Sequence, residues 1–319
     1  MRILVTGGAG FIGSHVCERL IRDGHAVTVL DELNDFYDPA MKRLNLAEIG
    51  TSGSFRFHEG DICDDGLIAR LFEEVRPDAV IHLAARAGVR PSLADPLLYE
   101  RVNVRGTLVL LEAARKMGTR KFVFASSSSV YGAGNVVPFR EDEPALLPVS
   151  PYAATKLAGE KLCFTYSHLY GIDAVCLRFF TVYGPRQRPD LAIRKFAEAM
   201  MAGRRIPFYG SGDSARDYTY VSDTVQGIVA ALSYQTRYEI FNLGNSRPVT
   251  LRELVSILEE VLGVEAQLER LPDQPGDVPI TYADITKAGR ELGYHPATAI
   301  GEGLRLMADW VRFRQSATA

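Results

Sequence analysis

Short apolar runs alternate with amphipathic stretches over the first half of the chain. Residues 3–6, 26–30, 55–58, 79–83, 121–125 and 174–180 are rich in Val, Ile and aromatic residues and read as strands. Residues 14–22, 40–49, 66–75, 99–116 and 152–170 carry apolar positions at helical spacing. Near-continuous apolar strands with helices between them predict a parallel sheet covered on both faces. Right-handed crossovers then give an α/β, doubly wound sheet. The pattern changes after Tyr183, where Gly184-Pro185-Arg186-Gln187-Arg188-Pro189-Asp190 reads as a loop. Beyond it the spacing predicts helices over 192–202, 251–261 and 301–312 and a strand over 238–243. We expect residues 1–183 to form the sheet domain, with return segments near 222–245. Residues 184–319 are expected to form mainly a smaller, mixed α/β domain. There are no internal repeats.

Composition narrows the classes. Of 319 residues, 47% are hydrophobic and 24% charged, the balance of a globular enzyme. The net charge of -3 gives no reason to expect a nucleic-acid partner. No run approaches the ~20 apolar residues of a membrane span. The N-terminal Arg2-Ile3-Leu4-Val5-Thr6 reads as a strand and not as a signal peptide. Four scattered cysteines, Cys17, Cys63, Cys163 and Cys176, lack a CxxC pairing and read as small buried hydrophobes in a reducing, cytoplasmic setting. The six histidines have no metal-ligand spacing, and no metal is expected.

The first predicted strand runs into Gly7-Gly8-Ala9-Gly10-Phe11-Ile12-Gly13 and then a helix. Gly7, Gly10 and Gly13 allow a tight turn and close backbone approach to a pyrophosphate, with Phe11 and Ile12 between them as further cofactor contacts ahead of a helix starting near Ser14. The helix N-terminus supplies N–H groups and a positive dipole end for phosphate. Asp31 ends the second strand, where a carboxylate can bind adenosine ribose hydroxyls. No arginine immediately follows it, so NAD is expected rather than NADP. Asp61 and Ile62 follow the third strand, where they can flank adenine or cap the next helix. Leu83 ends the fourth predicted strand and Ala84 and Ala85 follow it, all three as candidate cofactor contacts.

Tyr152 and Lys156 lie four residues apart in a predicted helix, one turn above each other. A cation beside a phenol, whose ordinary pKa is about 10, favours the phenolate. That would make Tyr152 a base able to work near neutral pH. Ser126-Ser127-Ser128-Ser129 lies at the end of the strand upstream.

With the glycine turn, the serine cluster and Tyr152/Lys156 together, the chain resembles the extended short-chain dehydrogenase/reductase family over nearly its whole length. It is most similar to the nucleotide-sugar epimerase branch, particularly the UDP-glucuronate 4-epimerases. The similar segments are residues 83–90, 126–132, 178–185, 216–220 and 274–279. The resemblance implies NAD as cofactor, a UDP-sugar as substrate and a homodimer built on the helices around 102–114 and 153–169. It implies that Tyr152 takes the proton of the sugar 4-hydroxyl while NAD accepts the C4 hydride, and that hydride returns to the opposite face. Ser127 would bridge substrate and Tyr152, and Lys156 would bind the nicotinamide ribose. Thr181 stands where epimerases of neutral hexoses usually carry Asn. Its hydroxyl, with those of Ser128 and Ser129, would hold a uronate carboxylate, with Arg90 a further possible partner. Arg216 would contact the diphosphate, Asp277 the uridine ribose, and Arg188 the anionic ligand. Eight basic residues between Arg178 and Arg216, opposed by three acids, suggest a basic lining for that ligand.

Rival readings differ at few positions. Related dehydratases carry Asp-Glu where this chain has Ser128-Ser129, and UDP-glucuronate decarboxylases carry Glu at the second position. Serines are poor acids and bases for elimination. An epimerase of UDP-glucose or UDP-N-acetylglucosamine differs only in the pocket. A non-catalytic NAD-binding protein would commonly lose Tyr152 or Lys156.

Overall fold

The computed structural model describes residues 1–134, 136–144, 146–272 and 279–318. Seven parallel strands form one sheet: β1 (Arg2–Thr6), β2 (Ala26–Asp31), β3 (Arg56–Glu59), β4 (Ala79–His82), β5 (Lys121–Ser127), β6 (Asp173–Phe179) and β10 (Tyr238–Leu243). Their order is β10-β6-β5-β4-β1-β2-β3. The order reverses beside β1, between β4 and β2, and the crevice beyond the carboxyl ends of the strands is where such sheets bind ligands.

Alternation along each strand builds two cores. Ile3 and Val5 face one side with Val123, Val175 and Leu177. Leu4 faces the other with Val80, Phe122 and Phe124. The first side is covered by α1 (Phe11–Arg22), α2 (Pro39–Thr51) and α9 (Val221–Ser233). The second is covered by α3 (Asp65–Val75), α6 (Gly106–Met117) and α7 (Pro151–Tyr170). Asp64, not Asp61, caps α3 by accepting from Leu67 N.

Two departures from the sequence pattern matter for the site. The expected single helix over 99–116 is α5 (Pro96–Glu100), a π-helical turn (Arg101–Arg105) and then α6. The turn carries Asn103, whose side chain accepts from Arg86 N and donates to Arg86 O and to Thr155 Oγ1. It ties the segment after β4 to α7. Secondly, the chain leaves the main sheet at Phe180, and β7 (Thr181–Tyr183) pairs instead with β9 (Ala215–Tyr220), Thr181 opposite Tyr218.

The remainder is a mixed layer. β11 (Pro248–Thr250), β9 and β13 (Ile280–Thr281) form a small sheet, and β8 (Ile206–Tyr209) pairs with β12 (Leu268–Leu271). A third core joins α8 (Ala192–Met201), α10 (Leu251–Leu262) and α12 (Ile300–Thr318) through Phe196, Leu254 and Leu304. α4 (Val89–Ala94), a 3₁₀ turn (Ser128–Tyr131) and α11 (Thr286–Leu292) complete the described elements. Most of these short strands lacked a readable pattern, because β11, β12 and β13 bury no residue fully and β8 buries two. No helix among the described residues is long and apolar enough to cross a membrane. Cys17, Cys163 and Cys176 are buried as expected, but Cys63 is only half-buried.

Candidate active site

A cavity of about 490 Å³ lies at the carboxyl ends of the strands. Gly7, Gly10, Phe11, Ile12, Gly13, Asp31, Asp61, Ile62, Leu83, Ala84 and Ala85 line it together with Ser127, Ser128, Ser129, Tyr152, Lys156, Thr181 and Arg188. Residues spread over most of the first 190 positions thus converge on one crevice.

The glycine turn is sterically obligatory. Gly7 has φ +69°, and a Cβ there would sit 2.7 Å from Ala84 N. A Cβ on Gly13 would sit 2.2 Å from Gly7 O, and one on Gly10 3.1 Å from the same oxygen. Helix α1 begins at Phe11 with no side-chain cap, so its first N–H groups face the cavity without a capping oxygen. This uncapped terminus, in a cradle that side chains would fill, fits the diphosphate of a dinucleotide.

Asp31 is held in place at the end of β2. Its carboxylate accepts from Ala9 N at 3.2 Å and Leu33 N at 3.0 Å. Burial raises its pKa, and Lys42 at 3.7 Å with the two N–H groups opposes that rise. Lys42, on α2, lay outside every motif. Arg86 and Glu32 close the rim at 3.3 Å. Asp61 accepts from Cys63 N and faces Arg101 at 3.7 Å, so its turn is fixed as well as cavity-facing.

In the Ser–Tyr–Lys set, burial works against the charged form of both Tyr152 and Lys156. Burial raises the Tyr152 phenol above its ordinary 10. The nearby Ser127 hydroxyl and the Arg188 guanidinium act to lower it. Lys156 Nζ donates to Ala125 O at 2.7 Å. Arg188, in the loop after β7, is thus a cation that favours the phenolate and that the sequence pattern did not assign to Tyr152. It is paired with Asp190 and lies 5.1 Å over the Phe36 ring. Tyr99 was not legible as a site residue. Its ring packs edge-on to Tyr152 at 6.2 Å, and its hydroxyl donates to Ala87 O. Ser127 Oγ accepts from Ser129 N and donates to Ser129 Oγ, both at 3.2 Å, which folds the serine segment into a tight turn.

Burial lowers the Lys156 pKa from the ordinary 10.5 to about 8. The folded state then binds fewer protons than the unfolded state between these values. This group's contribution to stability is full above 10.5 and is lost as pH falls to about 8. The stability difference between wild type and Lys156→Met should therefore change by about 3 kcal/mol across that window, in favour of wild type at the alkaline end. Urea midpoints measured from pH 7 to 10.5 test this, and a constant difference would contradict a buried Lys156 of lowered pKa.

Other expectations are redistributed. Arg90 is exposed, does not line the cavity and lies over the Tyr209 ring at 5.9 Å. Arg216 also lies off the lining and donates to Ala215 O and Pro279 O. Asp277 lies outside the described residues. Four of the eight basic residues are paired with acids, Arg188 with Asp190 among them. Arg178 pairs with Glu160, Arg186 with Glu18 and Glu48, and Arg194 with Glu198. Of the eight basic residues, only Arg188 lines the cavity. No group of acids, histidines and cysteines among the described residues could hold a metal.

A doubly wound parallel sheet, a glycine turn against an uncapped helix, and a Ser–Tyr–Lys set at the switch point define an extended short-chain dehydrogenase/reductase. Within that class the chain belongs to the GDP-mannose 4,6 dehydratase family, whose sequence profile matches residues 4–307. It is 45% identical over 308 residues to a UDP-glucuronate 4-epimerase of Thermodesulfobacterium geofontis, covering 96% of this chain and 95% of that one. It superposes with a TM-score of 0.92 on the UDP-glucuronic acid 4-epimerase of Bacillus cereus, solved with UDP-glucuronic acid and NAD. The two are 36% identical over 98% of this chain and all of that one. The UDP-glucose 4-epimerase of Thermotoga maritima, solved with UDP-glucose, is equally similar at a TM-score of 0.92 and 36% identity, covering 99% of this chain and all of that one.

Proposed function

We propose that this protein is an NAD-dependent 4-epimerase that interconverts UDP-glucuronate and UDP-galacturonate. The observation that carries the uronate is the hydroxyl set Ser128, Ser129 and Thr181 on the cavity that also holds Tyr152 and Lys156. Three neutral donors can bind a carboxylate without supplying the acid or base that elimination requires.

The glycine turn and α1 would hold the cofactor diphosphate, Asp31 its adenosine ribose, and Lys156 its nicotinamide ribose. NAD, when bound in its oxidised form, supplies a reversible hydride acceptor for sugar C4 and a positive charge near Tyr152. Tyr152 Oη takes the 4-hydroxyl proton and later returns one. Ser127 Oγ bridges the same oxygens. Arg188 favours the phenolate by its charge. Ser128, Ser129 and Thr181 hold the carboxylate while the sugar is a 4-keto compound.

That restraint has a chemical purpose. A 4-keto uronate is a β-keto acid. If its C5–C6 bond stands perpendicular to the carbonyl plane, that bond can break. Its electron pair then forms the enolate, CO2 leaves and a proton adds at C5. Thr181→Ala is expected to weaken UDP-glucuronate binding several-fold, about 1 kcal/mol for one hydrogen bond, and to raise the UDP-pentose by-product. Unchanged binding together with unchanged by-product would remove Thr181 from carboxylate recognition.

The direct test incubates the protein with NAD and a panel of UDP-sugars and follows C4 configuration by proton NMR. Conversion of UDP-glucose but not UDP-glucuronate would favour a neutral-hexose epimerase. Net accumulation of pentose or NADH would exclude epimerisation as the main reaction.

We also propose a homodimer through α6 and α7, adjacent helices that expose Leu108, Phe164, Leu169 and Tyr170. Phe164→Glu should halve the mass measured by light scattering, and an unchanged mass would place the interface elsewhere. The four free cysteines suit a reducing, cytoplasmic setting.

A further inference from the structure

The segment from Ser126 to Tyr131 carries the serine turn, and both of its ends rest on one buried ion pair. Glu160 and Arg178 are 0% and 1% exposed in their side chains and pair through two bonds of 2.9 Å. At one end of the segment, Ser126 Oγ donates to Glu160 Oε1 at 2.6 Å. At the other, the Arg178 guanidinium lies 4.7 Å over the Tyr131 ring. The Tyr131 hydroxyl is itself fixed by Asn242 Oδ1 at 2.7 Å. Between these anchors stand Ser127, Ser128 and Ser129, which line the cavity. Glu160 also continues the spacing of Tyr152 and Lys156 along α7, one turn beyond Lys156.

A buried ion pair is a poor way to gain stability. Apolar residues of similar volume often do as well or better, because desolvating two charges costs as much as their attraction returns. Here Arg178 Nη1 also lacks a hydrogen-bond partner. The pair has a geometric use that an apolar pair lacks: it makes directional contacts to α7, to β6 and to both ends of the serine turn.

We propose that Glu160 and Arg178 are positioning residues that set the Ser127–Ser129 turn against Tyr152 and Lys156, and thereby favour epimerisation over loss of the carboxylate. This rests on the epimerase reading above. Neither residue touches the cavity, so each acts through the turn and not on the substrate.

The test compares wild type, Ser126→Ala and the double variant Glu160→Met/Arg178→Met, each loaded with NAD and supplied with UDP-glucuronate. The double variant is expected to melt at or above the wild-type temperature. Its kcat should fall by about 10²-fold, as expected when reacting groups shift by about an ångström. Its ratio of UDP-pentose to epimer should rise by about tenfold, the effect of roughly 1.4 kcal/mol in relative barriers. NAD content should be unchanged, because the glycine turn lies elsewhere on the sheet. Ser126→Ala, which cuts a single anchor, should move kcat and product ratio in the same directions by less. A folded double variant with wild-type kcat and product ratio overturns the proposal. A loss of kcat with an unchanged product ratio also overturns it, since general loosening would suffice. If the double variant does not fold, Ser126→Ala decides alone, and wild-type values for it count against the proposal. A wild-type protein that fails to epimerise UDP-glucuronate overturns the functional reading instead, before any variant is compared.

Discussion

Tyr152→Phe should lower kcat for epimerisation by about 10³-fold while leaving the affinity for UDP-glucuronate within a few-fold of wild type. The size follows from the role. A positioned proton-transfer group typically contributes 10²–10⁴-fold, and a thousandfold is about 4 kcal/mol of barrier. Tyr152 is the titratable group that faces the cavity beside Ser127 and under the influence of Arg188. Phenylalanine keeps the ring and its edge-on contact with Tyr99, so the helix and the pocket keep their shape. The effect should therefore fall on kcat rather than on binding or melting temperature. A variant with near-wild-type kcat would assign the proton step to another group. The structure also predicts the pH behaviour. Burial holds the phenol above its ordinary value and Arg188 opposes it, so Arg188→Met should move the acid limb of the kcat profile to higher pH.

Gly13→Ala should abolish tight cofactor binding, with an affinity loss of at least about 10²-fold, and cost about 1–3 kcal/mol of stability from overpacking. The added methyl would lie 2.2 Å from Gly7 O and 2.7 Å from Gly8 Cα. Both are backbone atoms of the turn itself and cannot rotate away. Relief requires α1 to lift from the turn, which moves its first N–H groups from the diphosphate position. Gly50→Ala is the matched control. Gly50 lies in α2, where a Cβ meets nothing nearer than Phe55 Cε1 at 3.9 Å. The same change there should be stabilising by up to about 1 kcal/mol, since alanine is the better helix former. Calorimetric titration with NAD separates the two. Wild-type affinity in Gly13→Ala would mean that the turn does not hold the diphosphate.

The legible part of the site was its local chemistry. Glycines at positions 7, 10 and 13, an acid at the end of β2 and Tyr152/Lys156 within one helical turn are patterns whose meaning is set within a few residues. The strands of the main sheet were legible for a similar reason: residues buried on both faces leave continuous apolar runs. The less legible elements are those whose contacts come from far along the chain. The pattern predicts the strand over 238–243 and a return of the chain near 222–245, but not that the return forms helix α9 packed on α1, nor that β10 pairs with β6. The basic stretch after Arg178 illustrates the limit sharply. Read locally it is a cationic lining. In space, Glu18, Glu48 and Glu160 arrive from other helices to pair with Arg178 and Arg186, and of the eight basic residues only Arg188 lines the cavity.

The sequence by itself determined the class of chemistry: a dinucleotide turn, a ribose-binding acid and a tyrosine base are short-range patterns, and backbone sterics give them one reading. The tertiary structure brought a further cation to bear on Tyr152. Lys156 is one turn away along α7, and Arg188 acts on the phenol from a loop 36 residues further along the chain. It also decided that Arg90 and Arg216 stand off the cavity and that Tyr99 and Lys42 support it. Direction and burial are properties of packing, because a side chain's electrostatic effect depends on where its charged atom lies and on how much water lies between.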